Sequence, residues 1–163
     1  MTTTSTAHSA LGQADSVTTL LQEDHERLDA IIEAARGAAA SGAFADARAR
    51  FSEASAGLGL HIDAEEQVLF PAFEEATGMR GGPTNVMRME HVDLRSLLER
   101  ITSALDGSDG SAAAAGFDEL TRLLGVHNNK EEQILYPMID RSMAGDPLVA
   151  LVGAVRAAIE PKA

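Results

Sequence analysis

Imidazole and carboxylate side chains recur at one fixed spacing in this chain. Residues 61–71 read HIDAEEQVLFP and residues 127–137 read HNNKEEQILYP, an offset of 66 that keeps the histidine, both glutamates, the glutamine, the leucine and the proline identical. The same offset carries His25 onto His91, each preceded by an acid, Asp24 and Glu90. On an α-helix a step of four residues advances about 400°, so Glu65 and Glu131 lie about 40° from His61 and His127, whereas Glu66 and Glu132 lie about 140° away. His25, His61, Glu65, His91, His127 and Glu131 are therefore the candidate metal ligands, a nitrogen and oxygen donor set. Glu66 and Glu132 are expected to be solvated or to stand behind the ligands. Asp24 and Glu90 are either exposed or accept the free ring N–H of a ligand histidine. Tyr136 lies nine residues beyond His127, about 180° around the helix, and falls outside the set.

The repeat extends over a half-molecule, residues 16–76 followed by 82–142, and a duplicated unit constrains the architecture. Apolar residues recur in steps of three and four along four segments. The first seam runs through Leu21, His25, Leu28 and Ile32, and the second through Phe51, Ala54, Leu58, His61, Glu65, Val68 and Ala72. The third holds Met87, His91, Leu94, Leu98, Ile101 and Leu105; the fourth holds Phe117, Leu120, Leu124, His127, Glu131, Ile134 and Met138. Turn-forming residues at 40–42, 77–83 and 106–111 separate them, and Ser16 is placed to cap the first helix. The expected fold is all-α, an up-down-up-down four-helix bundle built from two repeated helical hairpins over residues 16–142.

The first 15 residues are read as a mobile tail, and His8 within them as no ligand. Residues 143–163 are expected to form a short fifth helix, with Asp146 as cap and Pro147 at its first position, packing on the bundle or on a second copy of the chain. His25, His91 and His127 lie about 15 residues from the turns of their hairpins and His61 about 18, so at about 1.5 Å per residue the four reach similar heights. Pro71 and Pro137 each remove a backbone hydrogen bond, and a kink or stop is expected at both.

Composition narrows the functional classes. A chain of 163 residues with 45% hydrophobic content supports one ordinary globular domain. No apolar run approaches 18 residues and no secretory leader is evident, which gives the expectation of a cytoplasmic protein without a membrane span. With no cysteine the chain offers no thiolate to a metal or cluster. A net charge of -12 argues against nucleic acid as a partner.

The seams place two carboxylates and four imidazoles where the pattern demands core, and no lysine or arginine shares those positions. Burying unpaired carboxylates costs several kcal/mol each, so they call for cations. Six donors suit two adjacent ions, each with two histidines and both carboxylates bridging; the donor types accept iron, zinc, nickel or manganese.

The order His, then H-x-x-x-E, then His, then H-x-x-x-E, with each paired motif continuing as E-x-x-L-[F/Y]-P, resembles the bacterial hemerythrin-like (HHE cation-binding) family over nearly all of residues 16–142. The resemblance implies a non-haem di-iron centre, two iron ions bridged by the glutamates and an oxo or hydroxo group, carried by His25, His61, Glu65, His91, His127 and Glu131. It implies a small-molecule ligand, dioxygen, hydrogen peroxide or nitric oxide, and a role in oxidative or nitrosative stress, with catalase-like peroxide decomposition as the candidate enzymatic activity. A non-catalytic module for iron storage, delivery or sensing is the alternative. Oxygen carriers of the family have a further histidine one turn from that on the third helix. Here Met87 and Arg95 occupy the positions either side of His91, so both ions are expected to keep open positions.

Overall fold

The computed structural model describes residues 14–161. Within them α1 spans Val17–Ala40, α2 Phe44–Ala64, α3 Phe70–Thr77, α4 Pro83–Asp106, α5 Gly110–Lys130, α6 Tyr136–Ser142 and α7 Asp146–Ile159. Two π-helical turns, Glu65–Leu69 and Glu131–Leu135, join α2 to α3 and α5 to α6 without interruption. The result is an all-α bundle of two helical hairpins: α1 packs along α2, α4 along α5, and the hairpins meet through α2 with α4 and α1 with α5. No described helix is long and apolar enough to cross a membrane.

Helix ends follow local chemistry. The Ser16 hydroxyl accepts from the Thr19 amide at 3.0 Å, and the Asp109 carboxylate does the same for Ala112 at 3.0 Å. Gly78 ends α3 in the left-handed region at φ 75°, a conformation that costs glycine nothing. α7 begins one residue earlier than its sequence indicates: Gly145, at φ 101°, occupies the cap position, and Asp146 is already helical. A further cap comes from far along the chain. Asp140, on α6, accepts from the amides of Val17 (2.8 Å) and Thr18 (3.2 Å) and from the Thr18 hydroxyl (2.6 Å), which ties the start of α1 to the end of the bundle.

Neither Pro71 nor Pro137 stops its helix. Each follows a turn closed by an i to i+5 bond, Phe70 N–H to Glu65 O in one half and Tyr136 N–H to Glu131 O in the other. The wider turn accommodates the missing proline N–H and its bulk while the chain remains helical. It also holds one residue more than an α turn, which rotates everything downstream back by about 100°. The seams therefore shift by one position. Val68 and Ala72 are only partly buried while Leu69 and Phe73 are fully buried; Ile134 is 55% exposed while Leu135 and Ile139 are buried.

The apolar core divides into two clusters. One is built on Leu28, Ile32, Phe51, Leu58, Leu97, Ile101, Phe117 and Leu120; the other on Leu20, Leu21, Phe70, Phe73, Tyr136 and Ile139, closed by Leu151, Val152, Val155 and Ile159 of α7. The apolar face of α7 is thus spent on α1, α2 and the first π turn of its own chain. The expected mobile tail lies mostly outside the described residues, as does His8; Ala14 is buried, and its carbonyl accepts from Arg156 at 2.9 Å. Between the clusters lies a layer of buried polar side chains.

Removing the long-range cap tests this account of the bundle end. Asp140→Ala is expected to lower unfolding free energy by about 1–2 kcal/mol, read from urea melts followed by circular dichroism.

Candidate metal centre

The polar layer contains His25, His61, Glu65, His91, His127 and Glu131, each buried. α1 and α2 present His25 and His61 with ring centroids 4.6 Å apart, and α4 and α5 present His91 and His127 at 4.9 Å. The carboxylates, at the first residue of each π turn, reach between these pairs. Glu65 lies 3.6 Å from His61 Nε2 and 3.1 Å from His91 Nε2; Glu131 lies 3.5 Å from His25 Nε2 and 3.0 Å from His127 Nε2. Glu65, His91, His127 and Glu131 offer donor atoms all within 4.8 Å of one another, as do His25, His61 and Glu131.

Each of the four histidines in the layer is oriented from behind by an acid. His25 Nδ1 donates to Glu132 at 2.8 Å, His61 Nδ1 to Asp24 at 2.7 Å, His91 Nδ1 to Glu66 at 2.8 Å and His127 Nδ1 to Glu90 at 3.0 Å. A carboxylate can only accept, so Nδ1 carries a proton and Nε2 is the nitrogen that faces the centre. The sequence leaves the role of these four acids open; the fold assigns all of them. Glu66 and Glu132 serve histidines of the opposite hairpin, a relation that helical spacing alone does not reveal. Asp24 is anchored in turn by Arg27 at 2.8 Å, and Glu90 by Lys130.

Charge balance defines what the layer can hold. Glu65 and Glu131 are fully buried, and Glu65 Oε2, both Glu131 oxygens and His91 Nε2 have no hydrogen-bond partner. Burial pushes His61 down, but the Glu65 and Asp24 carboxylates outweigh it and hold its pKa at about 10. Burial would likewise raise Glu65 and Asp24, yet the adjoining imidazoles, with Arg27 beside Asp24, keep both below the ordinary carboxylate range. The centre attracts positive charge, and its inward ring nitrogens and orphaned oxygens fit a cation with nitrogen and oxygen ligands.

Tyr136 corrects the sequence reading. It is fully buried within the layer, its hydroxyl donates to Glu65 Oε1, and its oxygen lies 3.4 Å from His61 Nε2 and 3.5 Å from His25 Nε2. The extra residue of the π turn is the cause, since it places Tyr136 about 80° from His127 instead of about 180°. Burial, then the Glu131 and Glu65 carboxylates, hold its phenol well above its ordinary pKa, so without a cation it remains a donor. Neither neighbour of His91 supplies a ligand: Met87 belongs to the apolar cluster and Arg95 pairs with Asp63 at 2.6 Å. A cavity of about 230 Å³ between α4 and α5 has Leu94, Leu123, Val126 and His127 in its lining, with Glu90 and Lys130 beside them.

Four antiparallel helices around a buried, two-fold layer of histidines and glutamates define a cation-binding helical bundle. The chain belongs to the hemerythrin HHE cation-binding domain family, whose pattern matches residues 16–139. Among curated proteins it is similar to the iron-sulfur cluster repair protein YtfE of Enterobacter sp. (strain 638), 35% identical over 95 residues, 53% of this chain and 42% of that protein. The YtfE of Edwardsiella ictaluri (strain 93-146) is 35% identical over 89 residues, 49% of this chain and 40% of that protein. The chain thus spans less than half the length of these relatives. No solved structure matches it.

Two outcomes follow. Glu66→Ala and Glu132→Ala are each expected to weaken metal binding by about 10- to 100-fold, measured by competition with a chelator, because each frees one imidazole. The second is a pH dependence. In the metal-free protein the raised His61 contributes stability that is complete below its unfolded value of 6.5 and lost as pH rises towards about 10. The depressed Glu65 and Asp24 contribute stability that is present above their ordinary values of 4.5 and 3.8 and lost as pH falls through their folded values. The metal-free melting temperature should therefore fall on both sides of a maximum at roughly pH 5–6.5. Metal binding needs deprotonated imidazoles, so the gain in melting temperature on loading should grow from about pH 6 to pH 9.

Proposed function

We propose that His25, His61, Glu65, His91, His127 and Glu131 hold a pair of iron ions, and that the protein uses them to bind or react with small oxidants, dioxygen, hydrogen peroxide or nitric oxide, under oxidative or nitrosative stress. One observation carries this reading: two fully buried carboxylates, each facing an imidazole from both hairpins, keep orphaned oxygens, and their ion-pair partners among the described residues are histidines alone. Family membership supports the cation, and the donor set, nitrogen and oxygen without sulfur, accepts iron.

Bound there, such ions supply Lewis acidity and electrons to small molecules. The chain does the rest. The four outer acids hold the Nδ1 protons and keep every Nε2 inward, which raises ligand basicity and fixes the rings. The apolar clusters on either side exclude bulk water, which strengthens electrostatic interactions inside. The cavity between α4 and α5 reaches the edge of His127 that Glu90 holds.

The names of the relatives favour a second reading, iron delivery in the repair of iron-sulfur clusters. These 163 residues contain no cysteine, so in that role they would store or donate iron and leave ligation of the cluster to a partner.

Metal analysis and reaction with oxidants separate the readings. The purified protein is expected to carry about two metal ions per chain, predominantly iron, with most of it lost in Glu65→Ala and Glu131→Ala. The oxidant reading requires that the reduced protein turn ferric in air and consume peroxide faster than Glu65→Ala. Transfer of iron to an acceptor without peroxide consumption would favour delivery, and a colourless zinc-loaded protein would sink both.

A further inference from the structure

The two hairpins build the site almost symmetrically. The offset of 66 relates Asp24 to Glu90, His25 to His91, His61 to His127, Glu65 to Glu131 and Glu66 to Glu132, and each pair makes the same contact in its half. Symmetry fails at Phe70 and Tyr136. Both rings are fully buried and each lies over a histidine, Phe70 on His91 with centroids 6.0 Å apart and Tyr136 on His25 at 5.9 Å. Phenylalanine fills its half without a hydroxyl, so packing does not explain the phenol in the other.

The hydroxyl oxygen sits among donors. Its proton goes to Glu65 Oε1, and both neighbouring imidazole nitrogens, His61 Nε2 at 3.4 Å and His25 Nε2 at 3.5 Å, face the same space, because their Nδ1 atoms are engaged by Asp24 and Glu132. The phenol has no second proton to offer them. One phenol oxygen and two ring nitrogens converge there, with Glu65 Oε1 and Glu131 Oε1 beside them, a nitrogen and oxygen set that suits positive charge, whether the proton His61 holds without metal or an ion in its place. In the other half the Phe70 ring stacks on His91, has the Arg88 guanidinium 5.4 Å from its centroid, and offers no lone pair. That half is also the one bordered by the cavity beside His127.

We infer that Tyr136 is a protein ligand to the metal position held by His25 and His61, which makes the two positions unequal and leaves the one held by His91 and His127 to receive an exogenous molecule. The inference rests on the metal-pair reading above. On metal binding the Tyr136 O–H bond breaks, a bond from its oxygen to the ion forms, and the proton leaves to solvent; no electron is transferred. The expectation of two equally open positions, drawn from Met87 and Arg95, gives way to one capped and one open position. The cap comes from the fourth segment of the bundle, where a helix-by-helix search for another histidine does not look.

The test uses the full chain loaded with ferric iron, with Tyr136→Phe and, as its mirror, Phe70→Tyr. Tyr136→Phe installs the side chain that the other half already accommodates. Iron content, visible absorption and resonance Raman spectra, and azide titrations are compared. The wild type should show a tyrosinate-to-iron charge-transfer band with phenolate ring vibrations. Tyr136→Phe should lose both while retaining iron, and should bind an additional azide. Phe70→Tyr should bind less azide than the wild type. A wild type that carries its iron pair without phenolate vibrations would overturn the ligand assignment and leave the metal-pair reading intact, because the hydroxyl would then only hold Glu65. A wild type that takes up no iron would overturn both. Should a variant fail to fold, the wild-type Raman spectrum alone decides.

Discussion

Two carboxylates in the middle of an apolar bundle impose the constraint on which the remaining structure depends. Glu65 and Glu131 are fully buried, and the charge near them is carried by imidazoles. A buried anion without compensation costs several kcal/mol, a large part of the stability of a domain this size. The chain meets this with histidines from four helices, each backed by its own acid, so that the layer as a whole invites cations. The division of the core into two apolar clusters follows directly, because a polar layer crosses the bundle between them. Closure of the cluster around Phe70, Phe73 and Tyr136 by α7 then shields the layer from that end.

The π turns convert this requirement into geometry. Each begins at its buried glutamate, Glu65 or Glu131, and finishes just before the aromatic residue and the proline. An α-helix carried straight through would keep the glutamate in place and turn the following aromatic ring away. One added residue brings Phe70 and Tyr136 onto the histidines of the layer while Leu69, Phe73, Leu135 and Ile139 take over the core. The proline, which would break an ordinary helix, is accommodated where the ladder has already widened. A turn of this kind costs regular hydrogen bonding, and its occurrence at the same place in both halves ties it to the site.

The near-symmetry of the site makes its one departure informative. Duplicated hairpins deliver equivalent histidines, glutamates and outer acids, so within the layer the halves differ chiefly at the aromatic position. The hydroxyl of Tyr136 adds a polar atom to the α1–α2 side, whereas the α4–α5 side has a phenylalanine and a neighbouring cavity. Unequal halves allow a division of labour that identical halves could not provide.

Much of this was legible in the residues themselves. Periodicity in steps of three and four, with turn residues between, dictates the helical hairpins, and the four-residue spacing of His61 to Glu65 and His127 to Glu131 dictates which glutamate faces inward, because both are local properties of an α-helix. The repeat dictates that the ligands come in two equivalent sets. Tertiary structure decided what local spacing cannot. The partners of Glu66 and Glu132 lie on the opposite hairpin, 25 residues from Glu66 to His91 and 107 from Glu132 to His25, so only the packed bundle reveals them. The register beyond each glutamate, and with it the place of Tyr136, depended on a change of helix type whose sequence signals, the repeated Pro71 and Pro137, mark that the ladder must yield without saying how. Stopping, kinking and widening all satisfy a missing N–H, and packing against the neighbouring helices selected the third.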